Sequence, residues 1–207
     1  KSYRNTVEIS DFATDILYHG SFPVYPVEPI IRHGEPVTVK KCADVTDQVT
    51  QAEQTIKQWQ CKGLDTIAVV CMDEAEAEKV TAALQGSVEL NTGNAGKWEI
   101  GEGVMVLPLK YTKGLEFDAV LIFNASKEDY PVEDGYVKQL YVAATRALHE
   151  LTVLYRGKLT GLIADPVSPE QKQRMRLAAD AQKKPVKTVV KQAEPEKTKE
   201  EIYRQRA

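Results

Sequence analysis

Apolar residues recur at helical spacing through TVEISDFATDILYHG, at Val7, Ile9, Phe12, Ile16 and Leu17, and the pattern stops near Gly20. That spacing predicts an amphipathic helix. The next stretch, SFPVYPVEPI, carries Pro23, Pro26 and Pro29 and predicts an extended connector. A β-like run, PVTVKKCA, leads into a helix from about Asp44 to Gln60, a strand DTIAVVCM and an acidic-capped helix DEAEAEKVTAALQ. From Gly86 to Gly103 the chain is polar and glycine-rich; the strands VMVLPLKY and FDAVLIFNA follow. The helix EDGYVKQLYVAATRALHE and the strand LTVLYRG complete the pattern. Near-continuous apolar strands that alternate with helices predict an α/β layer fold around a mostly parallel sheet. Past Pro166 large apolar residues become scarce, so residues 1–165 are expected to form the folded domain and 166–207 a charged tail. Within that tail PEQKQRMRLAADAQ is compatible with one solvated helix.

Composition changes this picture little. Of 207 residues, 43% are hydrophobic and 28% charged, as in ordinary globular domains, and no apolar run is long enough to cross a bilayer. Charge is more informative. The net charge is −3, yet from Ser168 onward 11 Lys+Arg face 6 Asp+Glu, which leaves an acidic body with 16 against 24. An acidic body argues against broad non-specific nucleic-acid binding and leaves room for a local groove. The basic tail is either a solubilising linker or a nucleic-acid contact. Cys42, Cys61 and Cys71 form no CxxC pair, and Cys71 lies inside an apolar run, so reduced thiols and a cytoplasmic setting are expected. His19, His33 and His149 share no metal-ligand spacing, and no metal site is assigned. The chain does not begin with Met, and it is expected to start inside a longer protein.

Three stretches carry candidate chemistry. GNAGKW superficially suits a phosphate-binding loop, but Asn91 stands where the first glycine belongs and Trp98 follows Lys97 in place of a hydroxyl residue. The chain therefore lacks its own P-loop. In TKGLEF, Gly114 lets the backbone approach a ligand, and Glu116 sits at the mouth of an apolar strand. A carboxylate there is either the polar corner of a surface turn or a ligand group. In QLYVAATRALHEL, small Ala143, Ala144 and Ala147 allow close helix packing, and Arg146 follows Thr145 on that helix. Tyr3 and Arg4 open the chain as an aromatic beside a guanidinium, a pair suited to base stacking next to a phosphate contact.

In this order YRN, TKGLEFDAVLI and YVAATRALHEL resemble motifs IV, V and VI of the UvrD/Rep-type superfamily 1 helicases. The resemblance runs from about Lys1 to Gly157 and implies the second RecA-like motor domain, a three-layer P-loop-NTPase-type fold. It further implies that Tyr3 stacks on adenine, that Arg4 and Arg146 reach the γ-phosphate of ATP as catalytic fingers, and that Gly114 and Glu116 lie at the nucleotide, Glu116 near the ribose. Lys110 and Thr112 are the implied nucleic-acid contacts. The partners implied are an N-terminal RecA-like domain of the same protein, which holds the Mg²⁺ of MgATP, and single-stranded DNA. The isolated chain is expected to be inactive.

Two departures point to a variant. Where strand-tracking relatives carry T-x-H, this chain has Pro108 and Lys110, and proline offers neither hydroxyl nor N–H. Only the stretch Gly86 to Gly103 fills the place of the large 2B insertion. Both features are similar to the HelD-like branch, whose members use ATP to remodel RNA polymerase. The alternatives to a DNA helicase are thus a polymerase-remodelling factor or a degenerate, non-catalytic interaction module.

Overall fold

The computed structural model describes residues 5–25, 32–91 and 102–182. Tyr3, Arg4, Pro26, Pro29, most of the glycine-rich stretch with GNAGKW, and the chain after Gln182 lie outside the described residues. Five strands form one sheet: β1 (Thr38–Cys42), β2 (Thr66–Cys71), β3 (Gly103–Pro108), β4 (Phe117–Ile122) and β5 (Ala147–Arg156), in the order β1-β5-β4-β2-β3. Every pairing is parallel, as the unbroken apolar runs require. On one face lie α1 (Val7–Leu17) and α4 (Asp134–Ala144), whose Ile9, Ala13, Ile16, Leu140 and Ala143 join Val120 and Ile122 in a buried layer. On the other lie α2 (Val45–Cys61) and α3 (Glu74–Leu84), with Ile56, Trp59, Val80 and Leu84 against Val69 and Leu121. The α/β layer fold predicted by the pattern is the one formed, and its helices cover both faces of the sheet.

Local chemistry sets the boundaries. Thr6, Asp44 and Asp73 each accept a bond from the backbone N–H three residues on, capping α1, α2 and α3. Edge strand β1 is exposed over Thr38 to Lys41, and its Lys40 and Lys41 discourage further strand pairing. Cys42 and Cys71 are buried free thiols, while Cys61 is exposed. Burial pushes the thiols of Cys42 and Cys71 up. Among the described residues no helix is long and apolar enough to cross a membrane.

Two boundaries differ from the sequence expectation. β3 ends at Pro108, and Leu109–Tyr111 forms a 3-10 turn instead of continuing the strand. Proline has no N–H for the ladder, so the strand closes there. More consequentially, α4 ends at Ala144 and β5 begins at Ala147, so Arg146 lies in the link between them and not on the helix. The carbonyls of Thr145 and Ala147, which a continuing helix needs, accept from Asn5 instead, and the Arg146 carbonyl accepts from Phe117 N–H at 2.9 Å.

Helix α5 (Gly161–Ala164) and helix α6 (Pro169–Gln182) follow β5. The latter covers PEQKQRMRLAADAQ, the stretch compatible with a helix. It is not wholly solvated. Gln171 Nε2 donates to the Tyr18 carbonyl at 3.2 Å, Arg176 Nε donates to the Tyr18 hydroxyl at 2.7 Å, and Ala179 is buried.

Candidate nucleotide-facing edge

The turn that follows β3 is shaped by one threonine and one glycine. Thr112 is buried and donates its hydroxyl to the Leu109 carbonyl at 2.8 Å, and its own carbonyl accepts from Leu115 N–H at 3.1 Å. Gly114 between them has φ +81°, a left-handed conformation that side-chain-bearing residues rarely adopt. The chain is thereby turned so that Glu116, half-buried, meets the amino-terminal end of β4.

Arg146 occupies the neighbouring position at the start of β5. Its half-buried guanidinium donates from Nε to the Val142 carbonyl at 3.1 Å, from Nη1 to the Leu115 carbonyl at 3.0 Å and from Nη2 to Thr145 Oγ1 at 3.3 Å. The bond to Leu115 joins the two motifs directly, because Leu115 precedes Glu116. A guanidinium carries five N–H groups; among the described residues three are engaged, which leaves one on each Nη. Such a fork matches two oxygens of a phosphate or carboxylate. Gly114, Glu116 and Arg146, separated in sequence by up to 32 residues, thus share one edge of the sheet.

Lys110 lies elsewhere, beyond the carboxyl end of β3. Its ammonium is 2.9 Å from Glu74 Oε1 and stacks 4.9 Å from the Tyr111 ring centroid, while the Tyr111 hydroxyl donates to the same Glu74 oxygen at 2.9 Å. The hydrogen bond from Lys110 holds Glu74 below the usual carboxylate range. Thr112, the other residue assigned to nucleic acid, keeps its hydroxyl within its own turn. Tyr3 and Arg4 precede the described residues, but Asn5, next in sequence, is buried against the carbonyls on either side of Arg146. Sequence reasoning missed Asn5 and Glu74, since both act on partners that only the fold brings near. In the sequence the only trace of Asn5 is its place in YRN, just before a helix N-cap.

Near the same edge, Asp118 accepts from Asp65 N–H, Thr66 N–H and Thr66 Oγ1 at 2.9–3.1 Å. Burial works to raise its pKa, but these bonds outweigh burial and hold the carboxyl below its ordinary value. A cleft of about 730 Å³ lies at the opposite, carboxyl edge of the sheet, where Asp73, Glu76, Asn124, Asp129 and Arg156 line it. It contains none of the sequence-predicted site residues. Among the described residues no group of three His, Cys, Asp or Glu side chains is arranged to hold a metal ion.

The sequence model of the UvrD-like helicase C-terminal domain family matches residues 104–154, from the start of β3 to near the end of β5. Among solved structures, the C-terminal domain of a possible DNA helicase from Lactobacillus plantarum WCFS1 is 30% identical, with a TM-score of 0.66 over 83% of this chain and 97% of that one. The Hef helicase domain of Pyrococcus furiosus is 13% identical, with a TM-score of 0.38 over 53% of this chain and 26% of that one, too distant to bear on function. No curated protein matches the chain.

Proposed function

The chain belongs to the UvrD-like helicase C-terminal domain family, and on that premise we propose that it is the second motor lobe of an ATP-driven DNA helicase or translocase. The observation that carries the proposal is the fork of Arg146, fixed to the Leu115 carbonyl beside Glu116 with one N–H left on each Nη. Bound between this edge and the N-terminal RecA-like lobe, ATP supplies a phosphoryl group for transfer to water. Arg146, joined by Arg4, stabilises charge on the γ-phosphate oxygens; Tyr3 stacks on the base, and Glu116 accepts from a ribose hydroxyl. Mg²⁺ belongs to the other lobe. Closure of the two lobes around ATP and their release after hydrolysis then drive movement along a single DNA strand.

In the full-length protein, Arg146→Ala is expected to leave ATP affinity within a few-fold and to reduce turnover by about 10³-fold or more, the range for arginine fingers. Normal turnover in that variant refutes the assignment. The isolated chain is expected to hydrolyse no ATP.

A second reading, a HelD-like factor that uses ATP to remodel RNA polymerase, is favoured by one feature. Pro108 ends β3, and Lys110 beside it is paired with Glu74, an acid in a position poorly suited to a DNA phosphate. Co-purification of RNA polymerase, with ATPase activity that single-stranded DNA does not stimulate, selects this reading over strand translocation.

A further inference from the structure

Strand β1 pairs with β5 only from Thr152 to Arg156. Toward its amino-terminal end, β5 therefore has β4 on one side and, among the described residues, no strand on the other. Carbonyl groups in that position need another donor. Asn5 supplies it. The side chain is buried, and its amide nitrogen donates to the Thr145 carbonyl at 3.0 Å and to the Ala147 carbonyl at 2.5 Å, partners 140 and 142 residues away.

These two carbonyls flank Arg146. Its own N–H donates to the Ala143 carbonyl at 3.2 Å, and its own carbonyl accepts from Phe117 N–H at 2.9 Å. Three consecutive carbonyls, 145 to 147, are thus engaged, two of them by a single carboxamide. Neither aspartate, which only accepts, nor alanine can replace this; serine can restore one bond. Thr6, the next residue, caps α1 through its side chain, so the clamp ties the beginning of α1 to the link that carries Arg146.

We infer that Asn5 is a positioning residue for Arg146: its amide holds the α4–β5 link so that the guanidinium fork is set before nucleotide arrives. The inference rests on the assignment of Arg146 to the γ-phosphate, and it adds to that assignment a residue that touches no substrate. Preorganisation of this kind matters because a displacement of about 1 Å in a catalytic group can cost about 10²-fold in rate.

The test uses Asn5→Asp, which keeps the shape and loses both donors, and Asn5→Ser, which keeps one, in the full-length protein. Asn5→Asp is expected to lower kcat for ATP by about 10²-fold with KM changed less than about threefold, and Asn5→Ser to fall between it and wild type. Asn5→Asp combined with Arg146→Ala is expected to be no slower than Arg146→Ala alone. Independently of activity, hydrogen exchange at the Phe117 amide is expected to accelerate in the Asn5→Asp chain, since its acceptor is the Arg146 carbonyl. Wild-type kcat in Asn5→Asp, or losses in Asn5→Ser equal to those in Asn5→Asp, overturns the inference. If Arg146→Ala itself turns over normally, the catalytic assignment fails; unchanged Phe117 exchange in Asn5→Asp then also removes the clamp, whereas faster exchange preserves it as a structural device.

Discussion

At Gly114 the backbone takes φ +81° with open space around the missing side chain, so the constraint there is conformational and not steric. Gly114→Ala is therefore expected to cost about 1–2 kcal/mol, the penalty for a left-handed L-residue, as read by the denaturant midpoint of the isolated chain. Glu76 makes a contrasting case. Burial raises its pKa, opposed by the hydrogen bond from Met72 N–H and by the nearby Arg156. A carboxyl that binds its proton more tightly when folded reduces stability as pH rises from the ordinary carboxylate range through its folded value. Glu76→Gln keeps an acceptor for Met72 and removes the charge. The expected result is a higher Tm at neutral pH, with the gain fading below about pH 4.5, checked by thermal melts across that range. At this scale Arg146 and Glu116 were legible because each interrupts an apolar run with a group that the run does not explain. Asn5 was not: a lone Asn before an N-cap looks like ordinary capping chemistry until residues 145 and 147 are brought to it.

Helix and strand identity follows from period, reinforced by caps in α2 and α3, and these two helices with β2 and β4 lie where the pattern predicted them. The link from α4 to β5 departs from the pattern for a physical reason. ATRALHEL has helix-forming residues and apolar spacing compatible with a helix, so local propensity extends the helix through Glu150. Pairing of Ala147 with Phe117 and the capture of two carbonyls by Asn5 override that propensity. Where α1 crosses α4, the buried Ala13, Ala143 and Ala144 let the helices approach closely. Ala143→Leu is expected to destabilise the isolated chain by about 1–3 kcal/mol through overpacking, measured by urea unfolding. Asp44→Ala removes the cap of α2 and is expected to cost about 1 kcal/mol by the same assay.

Across the whole molecule, Tyr18 is the point where the end of α1 meets the last described helix. Its ring lies under Lys172 and Arg176, and its hydroxyl and carbonyl are both bonded to α6. Removing the chain from Pro169 onward is expected to lower the Tm by a few degrees, because it exposes Tyr18 and strips its partners, while the sheet remains intact by circular dichroism. Periodicity, caps and prolines determined the fold class, the parallel sheet and most element positions, since these depend on interactions within a few residues. The motif spacing marked Gly114, Glu116 and Arg146 as a set. Which strand edge they share, that the Leu115 carbonyl holds one arm of the Arg146 fork, that Lys110 answers to Glu74, and that Asn5 takes the Ala147 carbonyl at the end of β5 which β1 leaves bare were decided by the tertiary structure. Each is a contact between residues whose separation along the chain leaves no local trace, and only closure of the sheet brings their donors and acceptors within 3 Å or so.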